Sequence, residues 1–262
     1  VNPRTKKKVD EFFRALAGSS RSLLLLDYDG TLAGFRVDRF KATPWSGVPD
    51  LLARIQNQGG TRIAVITGRP AEEIPPMIRL NPPPEVWGLH GAERLYPNGR
   101  RELEQPSAKT RAKLDALRQQ LTRDALGGLF EDKPNAAVMH WRGRSPRHAR
   151  EIERRARSLF EPLARLDGLR LLRFESGLEL RAGRDKGGAV RQILREARNA
   201  LPITYLGDDL TDEAAFLAVN DAKGPHLSVL MRREPRKTAA DVWMKPPAEL
   251  RWFLSKWMQA RS

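Results

Sequence analysis

Polar residues rich in carboxylates close three short apolar runs in this sequence. Leu23-Leu24-Leu25-Leu26 ends in Asp27-Tyr28-Asp29-Gly30-Thr31, and Arg62-Ile63-Ala64-Val65-Ile66 ends in Thr67-Gly68-Arg69. Ile203-Thr204-Tyr205-Leu206 ends in Gly207-Asp208-Asp209-Leu210-Thr211-Asp212. A single carboxylate after a strand is ordinarily a cap or turn residue, and Asp212 also reads as a cap for the helical run that follows. Brought together in one crevice, these acids would repel one another and need a counterion. Hard oxygen donors without Cys or His beside them suit Mg²⁺. A cation held by carboxylates, next to backbone N–H groups of a Gly-containing turn, makes a phosphate site. Asp185-Lys186-Gly187-Gly188 places a Lys at a helix start, just before the third run. There it would neutralise a phosphoryl group and the carboxylate that reacts with it.

The elements that must position these residues follow from patterning. The three runs are unbroken rather than alternating, as strands covered on both faces of a parallel sheet are. Helical spacing separates them over Gly47 to Gln58, Glu72 to Leu80 and Gly187 to Asn199. This βαβ rhythm predicts a doubly wound α/β sheet, whose ligands bind beyond the carboxyl ends of the strands. Val86 to Leu89 and Leu227 to Leu230 read as further strands. A last helix, Pro247 to about Met258, carries Leu250, Phe253, Leu254 and Trp257 at helical spacing.

The middle of the chain has a different rhythm. Helical spacing over Ser107 to about Leu126 precedes strand-like runs at Leu129 to Lys133 and Ala136 to Arg142. Helical spacing over Pro146 to Leu166 then precedes Leu169 to Phe174 and Gly177 to Arg181. The order αββαββ predicts an antiparallel sheet under two helices, inserted as residues 100–182 into a core of 1–99 and 183–262. Alternation sets Met139, Trp141, Leu178 and Leu180 on its apolar face. It sets Glu131 and Lys133, His140 and Arg142, and Glu179 and Arg181 on polar faces. Such a face is ordinarily solvated, and it also suits the hydroxyls of a sugar.

Composition bounds the rest. The 262 residues carry 47 Lys+Arg against 32 Asp+Glu, a formal charge of +15, with 40% hydrophobic residues, which is a globular composition. Zero Cys excludes a disulfide framework, a thiolate nucleophile and a Cys-ligated zinc site. No apolar run approaches a bilayer span, and the segment from Val1 to Lys8 lacks a secretory apolar stretch, so a soluble, cytoplasmic protein is expected. The basic clusters are Arg142 to Arg150, Arg154 to Arg157, and Arg232-Arg233 through Lys237. None carries a zinc-finger, recognition-helix or base-stacking pattern, so nucleic acid is not the expected partner. A basic surface would also draw in small anionic substrates.

The four polar segments, in this order and on these elements, resemble the motifs of the haloacid dehalogenase-like (HAD) phosphatase superfamily. The resemblance implies a HAD-like doubly wound parallel sheet core with an inserted αββαββ cap domain. It implies that Asp27 attacks phosphorus and becomes an aspartyl-phosphate. Mg²⁺ would sit on the Asp27 carboxylate, the Asp29 backbone carbonyl and Asp208, with Asp209 adding a contact through water. Asp29 would protonate the leaving sugar oxygen and then take a proton from the hydrolytic water. Thr67 and Lys186 would hold the transferring oxygens, and Asp212 would orient Lys186 or its loop.

Three cap segments look like the signatures of trehalose-6-phosphate phosphatases: Glu131-Asp132-Lys133, His140-Trp141-Arg142 and Gly177-Leu178-Glu179-Leu180-Arg181. Gly88-Leu89-His90-Gly91-Ala92-Glu93 is similar to that family's segment before the cap. Thr238-Ala239-Ala240 and Pro247-Ala248-Glu249-Leu250 are similar to its ending. The resemblance runs from about Leu23 to Trp257. It implies sugar contacts from Glu131, Lys133, His140, Arg142 and Glu179, with Gly91 letting the chain turn close beside His90 and Glu93. Thr31 and Arg69 join them as substrate contacts from the core motifs. Ala33 and Ala182 stand near positions where the family commonly has Pro, a departure that touches loop geometry and no reactive group. The expectation is a Mg²⁺-dependent phosphatase releasing trehalose and inorganic phosphate, a monomer paired in function with a trehalose-phosphate synthase. The alternatives are a phosphatase of glucosylglycerol or mannosylglycerate phosphate, or a catalytically silent binding module.

Overall fold

A strand with four leucines in a row needs cover on both faces, and β1 (Ser22–Leu26) has it, with all five residues buried. The computed structural model describes residues 3–36, 38–123, 127–133, 135–165, 168–174, 176–197 and 201–261. In it β1 is central to an eight-stranded sheet of order β12 (Val242–Met244), β11 (His226–Met231), β10 (Ile203–Gly207), β1, β2 (Thr61–Ile66), β3 (Glu85–Gly88), β4 (Glu93–Leu95), β5 (Arg101–Leu103). Pairing is parallel from β12 to β3 and antiparallel from β3 through β4 to β5.

Alternate leucines of β1 face opposite layers. Leu24 and Leu26 join the cluster formed by α1 (Pro3–Ala17), α2 (Val48–Gln58), α3 (Ile74–Ile78) and α8 (Ala248–Ala260). Leu23 and Leu25 join the cluster under α6 (Lys186–Ala197) and α7 (Glu213–Asn220). Each buried leucine contributes about 1.5–3 kcal/mol, so the quadruple-leucine run anchors both layers. The helix expected over Glu72 to Leu80 is shorter than its pattern. Pro75 and Pro76 occupy the first turn of α3, and Arg79 ends it in the left-handed region at φ 55°.

The residues part into two compact units, Val1–Leu103 with Arg184–Ser262, and Glu104–Gly183. The second unit runs α4 (Ala108–Arg123), β6 (Phe130–Lys133), β7 (Ala136–His140), α5 (Pro146–Ala164), β8 (Leu169–Phe174), β9 (Gly177–Ala182). Its antiparallel sheet has the order β6-β7-β9-β8. Met139, Trp141, Leu178 and Leu180 pack with Leu114, Leu117 and Leu121 of α4 and with Ile152, Ala156 and Phe160 of α5. The apolar face of this sheet is thus the one that alternation predicts. The far ends of three expected helices, at 124–126, 166 and 198–199, lie outside the described residues. No helix among the described residues is long and apolar enough to cross a membrane.

Candidate active site

Asp27, Thr67 and Asp208 each follow the last residues of β1, β2 and β10, which are neighbours in the sheet. Parallel register therefore sets the three side by side at one carboxyl edge. Lys186 opens α6, and its buried Nζ donates to Asp27 Oδ1 at 2.7 Å and to Asp212 Oδ1 at 2.6 Å. Asp212 Oδ2 accepts the N–H groups of Asp208 and Asp209, each at 2.9 Å. The Tyr205 hydroxyl donates to Asp212 Oδ1 as well, so both oxygens of this carboxylate are committed. Asp212 thereby ties the acidic turn to the lysine.

The electrostatics follow from burial. Asp27, Asp208 and Asp212 are all buried and offer oxygens within 4.8 Å of one another, with Lys186 as the positive group among them. Burial pushes the Asp27 carboxyl up to about 7; Lys186 pulls it down, while Asp212 and Asp29 add to the rise. Burial likewise raises Asp208 well above the carboxylate range, and Asp27 and Asp212 reinforce it. For Lys186, burial alone would lower the value, but Asp212 and Asp27 outweigh it and the ammonium is stabilised.

The residues fit a divalent cation. Asp27 Oδ2 is buried and finds no hydrogen-bond partner among the described residues, as an oxygen reserved for an incoming ligand would be. Asp208 lies against Gly30, whose φ is +88°; a Cβ there would come within 2.1 Å of Asp208 Oδ2. Glycine at this point lets a second carboxylate approach the first motif. Asp27 and Asp208 would hold the cation, while Asp212 is occupied as scaffold.

Other sequence-predicted residues fall into three groups. Asp29 stands outside the converging carboxylates; Arg69 holds its side chain through Nε to Oδ2 at 2.7 Å and Nη2 to Oδ1 at 2.6 Å. Arg69 also reaches Glu73 at 3.4 Å, so its guanidinium is engaged by protein acids. Thr67 is buried beside them, and Thr31 Oγ1 is buried with no partner among the described residues. Asp209 Oδ1 accepts from Leu210 N at 2.7 Å and forms a capping box with Asp212, so its carboxylate also caps the helix start.

Segment 88–93 is strained and buried. Leu89 and His90 take φ of 48° and 57°, left-handed values that only a fixed surrounding sustains. Gly91 continues the turn at φ 104°, where a Cβ would meet Ala189 Cβ at 2.9 Å. Glu93 is fully buried, with Oε2 accepting Ala71 N at 2.8 Å and Oε1 ion-paired to Arg101. Its carboxylate fastens β4 to the turn after β2.

Within the inserted unit, Glu131 and Glu179 both pair across from Val138 and so share one face. Glu131 Oε2 meets His140 Nε2 at 2.7 Å, and Lys133 Nζ meets Glu179 Oε2 at 3.6 Å. Arg142 Nε donates to Ser176 Oγ at 3.3 Å. Arg181 lies on the same face and is buried. The residues expected in this unit to contact sugar are therefore polar side chains clustered on one sheet, with Arg142 in the turn after β7. Tyr205 is a residue the patterning missed as functional. A Tyr inside an unbroken apolar strand was the available signal, since its hydroxyl must find a partner when buried.

This fold and site define a HAD-like α/β chain with an inserted αββαββ unit. A haloacid dehalogenase-like hydrolase from B. subtilis shares the fold at TM-score 0.63 and 18% identity, over 89% of this chain and 98% of that one. The C-terminal domain of a C. albicans trehalose-6-phosphate phosphatase shares it at TM-score 0.80 and 20% identity, over 96% of both chains. In sequence, a Mycobacterium marinum trehalose-phosphate phosphatase is 30% identical over 253 residues, 90% of this chain. The chain spans 61% of the length of that relative. Residues 25–245 match the Trehalose-phosphatase family, and the chain belongs to it.

Proposed function

We propose that this chain hydrolyses trehalose 6-phosphate to trehalose and inorganic phosphate, with Mg²⁺ as its cofactor. The observation that carries the reading is Asp27: buried, one oxygen on Lys186, the other without a hydrogen-bond partner among the described residues. An Asp27 oxygen attacks phosphorus, the bond from phosphorus to the sugar oxygen breaks, and Asp29, whose carboxyl must first leave Arg69 and take up a proton, supplies the proton that the sugar oxygen takes up. Water then attacks the Asp27 acyl phosphate, returning its proton to Asp29 and releasing phosphate with Asp27 restored. Lys186 neutralises Asp27 and the phosphoryl oxygens near it, and Thr67 donates a hydroxyl to them. A bound divalent cation supplies screening between two anions that would otherwise repel. Asp27 and Asp208 would hold it. Glu131, Lys133, His140, Arg142 and Glu179 read the glucosyl hydroxyls, and family membership supports that choice of sugar.

The test is phosphate release from a panel of phosphorylated disaccharides and glycosides, with and without Mg²⁺. Trehalose 6-phosphate should give the highest kcat/KM, and chelation should abolish release. Preference for glucosylglycerol or mannosylglycerate phosphate would overturn the substrate; release untouched by chelation would overturn the cofactor.

A further inference from the structure

The third basic cluster, from Arg232 to Lys237, has no part in the chemistry above, yet two of its side chains turn onto the acidic turn. Arg236 Nη2 donates to the carbonyl of Asp209 at 2.7 Å and to that of Asp208 at 3.4 Å. Arg232 Nη1 donates to the Asp208 carbonyl at 3.2 Å. Arg236 is itself held, because its Nη1 is ion-paired with Glu213, the first residue of α7. Glu213 also accepts Thr238 Oγ1 at 2.9 Å and Ala239 N at 2.7 Å. One carboxylate thus gathers the arginine and the Thr238-Ala239 segment onto the start of a helix.

The consequence falls on Asp208. Asp212 fixes the N–H groups of residues 208 and 209 from one side, and the arginines fix their carbonyls from the other. With both ends of these peptides tied, the direction of the Asp208 side chain is set, against the repulsion of Asp27 and Asp212. Such a carboxylate needs no reorganisation when a cation arrives, and the guanidinium behind it offsets part of the local negative charge.

We infer that Arg236, clamped by Glu213, is a positioning residue for the divalent-cation site, acting through the Asp208–Asp209 backbone. The inference rests on the reading of Asp27 and Asp208 as cation ligands. It assigns Arg236 to cation affinity and not to recognition of the sugar.

The experiment is Mn²⁺ binding to the substrate-free protein, followed by electron paramagnetic resonance, for wild type, Arg236→Met and Arg236→Lys, with thermal melts of each. Arg236→Met should weaken Mn²⁺ about 10–100-fold, as loss of partners behind a metal ligand does, and Arg236→Lys should recover part of it. KM for trehalose 6-phosphate at saturating cation should stay within about twofold, since ground-state contacts to the sugar are untouched. If Arg236→Met does not fold, Thr238→Val, which removes one bond to Glu213, should weaken Mn²⁺ in the same direction by a smaller factor. Unchanged Mn²⁺ affinity in the folded variant, or a raised KM with unchanged affinity, overturns the inference while leaving the proposed function intact. A wild-type protein that binds no Mn²⁺ overturns the cation reading and this inference together.

Discussion

Two groups of buried and half-buried carboxylates in the core unit receive opposite treatment. At the carboxyl edge of the sheet, Asp27, Asp208 and Asp212 surround one lysine, and burial drives Asp27 up to about 7. Further along the sheet, Glu196 meets two arginines, with Arg94 Nη1 and Nη2 at 2.7 and 2.8 Å and Arg62 Nη2 at 2.8 Å. Burial would raise Glu196 too, but the hydrogen bonds from Arg94 and Arg62 win and bring it down to about 2. Both sets are acids partly withdrawn from water; the count of positive partners decides the sign. The first set is short of positive charge, which leaves capacity for a cation and for charge transfer. The second is saturated by its two arginines. A third set, Glu131 with His140 and Glu179 with Lys133, is paired on the sheet of the inserted unit.

The sharpest break of the comparison removes the nucleophile. Asp27→Asn should lower kcat at least about 10⁴-fold in a phosphate-release assay, with far-UV circular dichroism preserved. Appreciable residual turnover would move the nucleophile elsewhere. Lys186→Met removes the positive charge at the centre of the first set and leaves Asp27 and Asp212 without their shared ammonium. Urea melts should show a loss of about 3–5 kcal/mol, reduced when millimolar Mg²⁺ is present, because the cation replaces the missing charge. A variant as stable as wild type would mean that the set is not short of positive charge.

Glu131→Ala should raise KM for trehalose 6-phosphate about tenfold or more, the loss of one hydrogen bond to a charged group. Turnover of a small aryl phosphate should barely change; equal losses on both would remove the sugar-reading role. The smallest effect concerns Glu196. Its carboxyl lies below its ordinary value of 4.5, so it stabilises the fold above that pH and loses the contribution as pH falls toward about 2. Glu196→Gln should therefore melt below wild type at pH 6, and the gap should narrow steadily between pH 4.5 and 2. A gap independent of pH would show that charge on Glu196 contributes nothing.

Much of this was legible in the sequence because long signals survive. Unbroken apolar runs gave the parallel strands β1, β2 and β10, the last with Thr204 and Tyr205 inside it, and alternation gave the apolar face of the inserted sheet. The polar residues closing those runs had to meet, because parallel neighbours bring their carboxyl ends to one edge. What failed to show was short or made by partners distant in sequence. β4, β5 and β12 have three residues each, too few for a period-2 pattern to emerge. Glu93 reads as a sugar contact from its motif, yet its oxygens meet Ala71 N and Arg101, which no local spacing reveals. The role of Arg236 within its basic cluster is hidden for the same reason, since its carbonyl acceptors at Asp208 and Asp209 lie more than twenty residues away.

The central claim is that the Asp27 carboxylate bonds to phosphorus. Acid quenching of the protein during turnover of trehalose 6-phosphate, followed by peptide mass spectrometry, tests it directly. The account predicts one phosphoryl group, on the peptide carrying Asp27, absent when Asp27 is asparagine. Phosphate on another residue, or full turnover with no phosphorylated protein at any time, would contradict it.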